Sequence, residues 1–459
     1  MSERDAEFDV VVLGGGSGGY AAALRAALLG RSVALIEKDK LGGTCLHRGC
    51  IPTKALLHAA EVADTAREAA QFGVKADFVG IDMAGVNAYK DGVISKMYKG
   101  LQGLIKSRKI TVVTGSGRLV APTTVEVDGA RYTGRDLILA TGSYARSLPG
   151  LDIDGERVIT SDQALFLDRV PSSAVVLGGG VIGVEFASVW RSFGADVTIV
   201  EALPRLVAAE DEAVSKGLER QFRKRGIGFK VGKPFEKVER TEGGVRVSIA
   251  GGDRIEAELL LVAVGRGPTT ANLGYEEQGI AMERGFVLTD ERLRTNVPHV
   301  YAVGDIVPGL QLAHRGFQQG IFVAEEIAGL NPPVIDELGI PRVTYCEPEI
   351  ASVGLTEARA REKYGDKIET VTYDLTGNGK SAILRTSGFV KLVRAVDGPV
   401  VGVHILGARV SELVGEAQLI YNWEAFPAEV AQLIHAHPTQ TEAMGEAHLA
   451  LAGKPLHVH

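Results

Sequence analysis

The stretch that decides the fold is residues 8–37, FDVVVLGGGSGGYAAALRAALLGRSVALIE. Phe8 to Leu13 reads as an apolar buried strand, Gly14 to Gly19 as a turn, the Ala/Leu-rich run that ends at Gly30 as a helix, and Ser32 to Glu37 as a second strand. Gly14, Gly16 and Gly19 stand at the joint between strand and helix. Without a Cβ there, backbone N–H groups and the helix dipole can hold a pyrophosphate, and Glu37 suits the two hydroxyls of a ribose diol. A single glycine pattern is weak evidence, because tight turns and close helix packing also select glycine.

Context strengthens it, since the order recurs. Residues 173–201, SAVVLGGGVIGVEFASVWRSFGADVTIVE, give a strand, a turn at Gly178, Gly180 and Gly183, a helix that ends at Gly194, and a strand that runs to Glu201. In both copies the acid lies 23 positions after the first glycine, at 37 against 14 and at 201 against 178. Each copy is followed by a matching closure, RDLILATG at 135–142 and ELLLVAVG at 258–265. Two dinucleotide folds are expected. Glu201 would repel a 2′-phosphate, so NAD is preferred over NADP, with Arg205 downstream read as an exposed, solvated arginine.

Composition bounds the rest. At 459 residues the chain is long enough for about three packing units. Glycine takes 57 positions, about 12% against an average near 7%, without the period of collagen. No apolar run approaches the roughly 20 residues that span a bilayer. The balance of 50 basic and 57 acidic residues offers no basic patch for nucleic acid. Three cysteines are too few for a secreted disulfide framework, and the strand that begins by Phe8 leaves no room for a targeting segment, so a cytoplasmic location is expected. Beyond Pro341, runs such as Phe389–Val393 and Val400–Ile405 read as antiparallel strands, with helices from Val410 onward; the tail is expected to be a separate α+β domain.

Cys45 and Cys50 lie in GGTCLHRGCIPTK, residues 42–54. On a regular helix, Cα atoms five residues apart are roughly 8 to 9 Å from each other. Disulfides rarely tolerate more than about 7 Å. A bridge therefore needs a distorted segment, which Gly49 permits, ahead of a regular helix that starts near Pro52. The alternatives are a redox pair, two buried free thiols or a static staple. Zinc is disfavoured because no second Cys or His pair has ligand spacing, so no metal is expected.

With the cysteine segment, ILATGS, GGGVIGVEFA, VYAVGD (residues 300–305) and HAHPTQTE (residues 435–442), the chain resembles the class I pyridine nucleotide-disulfide oxidoreductases, and within them the dihydrolipoyl dehydrogenases, over essentially its whole length. It departs from the usual pattern at His47-Arg48, where Asn-Val is common, and at Thr53, where Ser is common. The resemblance implies an α/β fold with two Rossmann-like units, FAD in the first and NAD in the second, and a C-terminal dimerisation domain. The implied segments are 1–148 for FAD, 149–272 for NAD, 273–341 completing the FAD unit, and 342–459 for the interface. Cys45 is implied as the interchange thiol and Cys50 as the thiolate that faces the flavin. Lys54 would lie near the flavin and pair with Glu185. Asp305, Gly117, Thr141, Gly142 and Ala313 are implied as FAD contacts, and Gly265 as an NAD contact. His437, ahead of Pro438, is implied as the base, with Glu442 early in the next helix to orient it and His435 supporting or solvated. A homodimer is implied, with the histidine supplied to the other subunit's cysteines, and so is a lipoyl-bearing partner: the acyltransferase of a 2-oxo-acid dehydrogenase or the glycine-cleavage carrier. The implied reaction oxidises dihydrolipoamide and reduces NAD⁺. Glutathione reductase, mercuric reductase, the large thioredoxin reductases and a non-catalytic docking flavoprotein are the competing expectations. They are disfavoured by Glu201, by a C-terminus without cysteine, and by the intact Cys45, Cys50, His437 and Glu442 set. Cys346 reads as a buried packing thiol.

Overall fold

The computed structural model describes residues 5–457 and builds three principal sheets. In the first, β1 (Asp5–Leu13), β2 (Val33–Glu37), β3 (Thr111–Thr114), β4 (Arg118–Ala121), β5 (Thr124–Val127) and β6 (Ala130–Leu139) lie in the order β3-β2-β1-β6-β5-β4. β1 runs parallel to β2, Val10 opposite Val33, and parallel to β6, Val12 opposite Ile138. Because both faces are covered, the apolar run of β1 shows no polar alternation. Val10 and Val12 enter one core with Ala22 and Phe322, while Val11 and Leu13 enter the opposite core with Tyr275.

Helix α1 (Ser17–Leu28) crosses from β1 to β2; α2 (Gly43–Arg48), α3 (Cys50–Glu68) and α4 (Met83–Ser107) follow. A later segment returns to this unit. Its strand Val300–Ala302 pairs with the end of β6, and its helix Ala313–Ile327 packs on α1 so closely that a Cβ on Gly320 would stand 2.2 Å from the Gly18 carbonyl oxygen.

The second sheet repeats the plan. Gly228–Lys230, Asp196–Val200, Ser173–Leu177, Leu259–Val262 and Val158–Thr160 lie side by side, all parallel. The closures that follow the two repeats meet each other: Ser143–Ala145 pairs antiparallel with Arg266–Pro268, which joins the two units at their strand ends. The third sheet is antiparallel, in the order Arg342–Thr344, Glu349–Gly354, Val400–Gly407, Phe389–Ala395, Ile368–Asp374, and the helices Val410–Asn422 and Glu442–Leu451 pack on it. Among the described residues, no helix is long and apolar enough to cross a membrane.

Candidate active site

The two glycine turns are built alike, and each glycine has its own reason. Gly14 (φ +106°) and Gly178 (φ +111°) take left-handed backbone, where a Cβ would also meet the carbonyl oxygens of Ala140 at 2.2 Å and Ala263 at 2.3 Å. Gly19 and Gly183 press on the carbonyls of Gly14 and Gly178, leaving 1.8 and 1.9 Å for a Cβ. Gly16 and Gly180 face open space, with no atom within 4 Å of a Cβ. They are also the N-caps of α1 and of the helix Val181–Phe193, and neither helix start has a side-chain cap. An uncapped helix N-terminus beside a space that a Cβ would fill fits a dinucleotide pyrophosphate.

The acids also match. The N–H groups of Gly15 and Asp39 donate to the two Glu37 carboxylate oxygens at 2.7 and 2.8 Å; those of Gly179 and Leu203 donate to Glu201 at 2.6 and 2.7 Å. Each oxygen keeps acceptor capacity for a ribose hydroxyl. Arg205 is not the solvated arginine expected from sequence. It is half-buried, and its Nη2 donates to the carbonyls of Ala208 and Glu210 at 2.8 and 3.1 Å, because the loop folds its own backbone around the guanidinium.

Cys45 lies in α2 and Cys50 opens α3, with Gly49 (φ −148°, ψ −111°) breaking the helix between them. The regular helix thus starts two residues before Pro52, which falls inside its first turn where a missing N–H costs nothing. Both cysteines are half-buried free thiols, the dithiol form of the pair. The hydrogen bond from the Cys45 thiol lowers the Cys50 pKa; burial opposes this and the Lys54 cation reinforces it. Cys45 is pushed up by the same hydrogen bond and by burial. His47 donates from Nε2 to the Leu41 carbonyl at 2.9 Å and meets Tyr98 edge-on, and Arg48 pairs with Asp39.

Lys54, one turn past Cys50, reaches across to Glu185 in the second unit, 3.0 and 2.9 Å from its two oxygens. Burial disfavours the Lys54 cation, yet Glu185 and the Cys50 sulfur outweigh it and raise the pKa. Tyr345 is a further residue of the site that is not among the sequence candidates. Its N–H donates to Glu185 at 2.9 Å and its ring lies under Lys54, 4.7 Å from Nζ. No local pattern marks it, because the contact spans 160 positions.

Asp305, in the turn after Val300–Ala302, accepts a hydrogen bond from Ser143 Oγ, which in turn accepts from Arg266 Nε at 2.7 Å. Gly142 (φ +73°) and Gly265 (φ +101°) end the closures, Thr141 Oγ1 donates to the Thr269 carbonyl at 2.6 Å, and Ala313 begins its helix. Gly117 is set among Leu13, Ile36 and Val125, where a Cβ would clash.

His437 and Glu442 come together. The His437 ring donates from Nδ1 to Glu442 Oε1 at 2.8 Å and is 77% exposed. The helix that Glu442 opens packs on the third sheet. Burial would raise the Glu442 pKa, but the Thr439 N–H and the His437 ring hold it below the ordinary carboxylate value. His435 is not solvated: its side chain is largely buried and bonded from Nε2 to Glu416 at 2.8 Å. Cys346 is fully buried, its thiol pushed up by desolvation.

Residues 8–320 match the pyridine nucleotide-disulphide oxidoreductase family, and residues 340–448 match its dimerisation domain. The chain belongs to this family. Among the relatives of this oxidoreductase, a dihydrolipoyl dehydrogenase of Bacillus subtilis (strain 168) is 42% identical, covering 98% of this chain and 99% of its own. The mitochondrial dihydrolipoyl dehydrogenase of Pisum sativum is 38% identical, over 98% and 93%. Among solved structures, LpdA from Mycobacterium tuberculosis superposes with a TM-score of 0.90 at 27% identity, covering 96% of this chain and 99% of its own. The Cu(II) complex of the HOCl-induced flavoprotein disulfide reductase RclA from Escherichia coli gives 0.88 at 27%, over 97% and 100%. The oxidoreductase uses FAD and NAD, and its dimerisation domain makes it a homodimer.

Proposed function

We propose that the chain is a dihydrolipoyl dehydrogenase acting on protein-bound dihydrolipoamide. The observation that carries this reading is the union, in one chain, of two matched nucleotide turns with a Cys45–Cys50 pair whose Cys50 is held toward the thiolate beside Lys54. Full-length relatives of that name support it.

Gly14, Gly16, Gly19 and Glu37 would hold FAD, with Gly117, Thr141, Gly142, Asp305 and Ala313 along it. Gly178, Gly180, Gly183, Glu201 and Gly265 would hold NAD. When bound, FAD supplies an acceptor for the electron pair of the dithiol and relays it to NAD⁺ as hydride. The remaining steps belong to side chains. His437 of the partner subunit takes a proton from one substrate thiol, and the thiolate attacks Cys45 of the oxidised pair. The Cys45–Cys50 bond breaks, Cys50 leaves as thiolate, and the Lys54 cation, itself balanced by Glu185, stabilises that charge. The second substrate thiol then attacks the substrate sulfur of the mixed disulfide; Cys45 departs and takes the proton held by His437, and the freed imidazole accepts the proton of the second thiol. Glu442 keeps the imidazole oriented for both transfers.

The segment division at 1–148, 149–272, 273–341 and 342–459 is part of this reading, its first four and last two positions lying outside the described residues. So are a cytoplasmic location and a lipoyl domain, of a 2-oxo-acid dehydrogenase acyltransferase or a glycine-cleavage carrier, as partner. The test is anaerobic addition of dihydrolipoamide to the FAD-loaded dimer. A long-wavelength absorbance that Cys50→Ser abolishes is expected; a response to glutathione with NADP⁺ in place of dihydrolipoamide would overturn the reading.

A further inference from the structure

The loop from Leu203 to Asp211 links the Glu201 carboxylate to the helix Glu212–Lys224, and it is fastened at both ends. At the nucleotide end, the Val207 N–H donates to the Gly179 carbonyl at 2.8 Å, within the second glycine turn. Val207 does so at φ +44°, a left-handed conformation that a β-branched side chain rarely adopts. Such backbone persists only where its surroundings over-determine it. At the far end, two buried carboxylates supply that constraint. Asp211 accepts from Lys391 Nζ at 2.8 Å and from the Glu357 N–H at 2.9 Å. Glu210 accepts from Ser352 Oγ at 2.5 Å and Arg342 Nε at 3.2 Å.

All four donors lie in the stretch that matches the dimerisation domain, residues 340–448. Asp211, Glu210 and Lys391 are 2, 6 and 7% exposed, and Ser352 is wholly buried. Charges removed from water to this degree are tolerated only with partners in fixed geometry. Lys391 meets that condition with a second bond, to Glu357 Oε2 at 2.7 Å. The dimerisation domain therefore grips the segment that runs directly from the nucleotide carboxylate.

We propose that Lys391 and Ser352 are positioning residues for pyridine-nucleotide binding. They hold the 203–211 loop so that Val207 stays in its left-handed conformation against Gly179, and with it the Gly178–Gly183 turn and the Glu201 carboxylate stay set for the nucleotide. This rests on the assignment of Glu201 and that turn to NAD. Neither residue touches the nucleotide or the sulfurs; their action passes through Asp211 and Glu210.

The test compares the FAD-loaded wild-type dimer with Lys391→Met and Ser352→Ala. NADH affinity and the KM for NAD⁺ are measured, and flavin reduction by dihydrolipoamide is followed anaerobically without NAD⁺. Lys391→Met should weaken NADH binding and raise the KM by about tenfold, with kcat at saturating NAD⁺ and the NAD-free reduction changed by less than about twofold. Ser352→Ala should shift the same quantities less, in the same direction. Wild-type NADH affinity in both variants would overturn the proposal, and so would equal losses in both half-reactions, which mark general loosening. If Lys391→Met does not fold, Ser352→Ala decides alone. If wild-type protein is not reduced by dihydrolipoamide, the proposed activity fails, while the NADH affinities still decide this inference.

Discussion

Lys54 Nζ lies 2.9 Å from Glu185 Oε2 and 3.0 Å from Oε1, a bond that ties the cysteine helix of the first unit to the opening helix of the second across 131 positions. Glu185 is almost wholly buried and takes a further hydrogen bond from the Tyr345 N–H, so the pair is fixed from three segments at once. Its consequence falls on Cys50, where the Lys54 cation lowers the thiol pKa and the Glu185 anion raises it.

Lys54→Met removes the cation and leaves Glu185 without a counter-charge. Both changes act on Cys50 in the same sense, upward. The expected outcome is a pH midpoint for Cys50 alkylation in the dithiol form that rises by about 1 to 3 pH units. Mass-spectrometric mapping of the alkylated site along a pH series measures it; an unchanged midpoint would show that Lys54 does not act on the sulfur.

The exposed His437 ring has one hydrogen-bond partner among the described residues, Glu442, and so is free to serve a second subunit. His437→Gln should lower kcat with dihydrolipoamide by about 10²–10⁴-fold, the range for a general base, and Glu442→Gln by less, because an amide oxygen still accepts from Nδ1–H. Hybrids of Cys45→Ser and His437→Gln subunits should recover activity, since each dimer then holds one site with both groups intact. Inactive hybrids would show that the site is not shared.

What could be read from the sequence was what local period and spacing carry. Val10 to Leu13, the two glycine turns and the acids at equal distance are short-range patterns, and the parallel sheets form around them. The permissive role of Gly49 was visible, and so was the helix start to within two residues: Pro52 falls in the first turn of α3, which begins at Cys50. Resemblance supplied the Lys54–Glu185 pair, which spacing could not, as its partners meet only after two units dock. Tyr345 and the Lys391–Asp211 contact carry no local signal at all. Arg205 departs from its sequence expectation because a backbone that folds over a guanidinium leaves no compositional mark.

The glycine turns allow binding to be separated from folding. No protein atom lies within 4 Å of a Cβ on Gly16 or Gly180, and both have extended backbone that alanine adopts. Gly180→Ala should leave thermal stability within about 0.5 kcal/mol of wild type, keep FAD and lose NADH affinity. Gly16→Ala should do the converse and release flavin. Gly183→Ala, whose Cβ would stand 1.9 Å from the Gly178 oxygen, should instead destabilise the fold itself. Flavin content, NADH titration and calorimetry separate the three; loss of flavin from Gly180→Ala would reverse the assignment of the turns.

Nucleotide choice follows from Glu201 and Arg205 together. Glu201 presents a carboxylate whose two oxygens are steadied by the N–H groups of Gly179 and Leu203, so that it can accept from two ribose hydroxyls and oppose a 2′-phosphate. Arg205, four residues on, would be the natural phosphate ligand, yet its Nη2 is committed to the Ala208 and Glu210 carbonyls. Glu201→Ser should therefore lower kcat/KM for NAD⁺ by about 10- to 100-fold, the cost of hydrogen bonds to a charged acceptor. It should improve NADP⁺, because the repulsion is gone, but without making it the preferred substrate, because the serine itself brings no positive charge to the phosphate. Steady-state kinetics with both nucleotides measure the balance. A variant that prefers NADP⁺ would mean that Arg205 leaves its loop carbonyls for the phosphate, and that the 203–211 loop is less firmly held than its anchors to Lys391 and Ser352 imply.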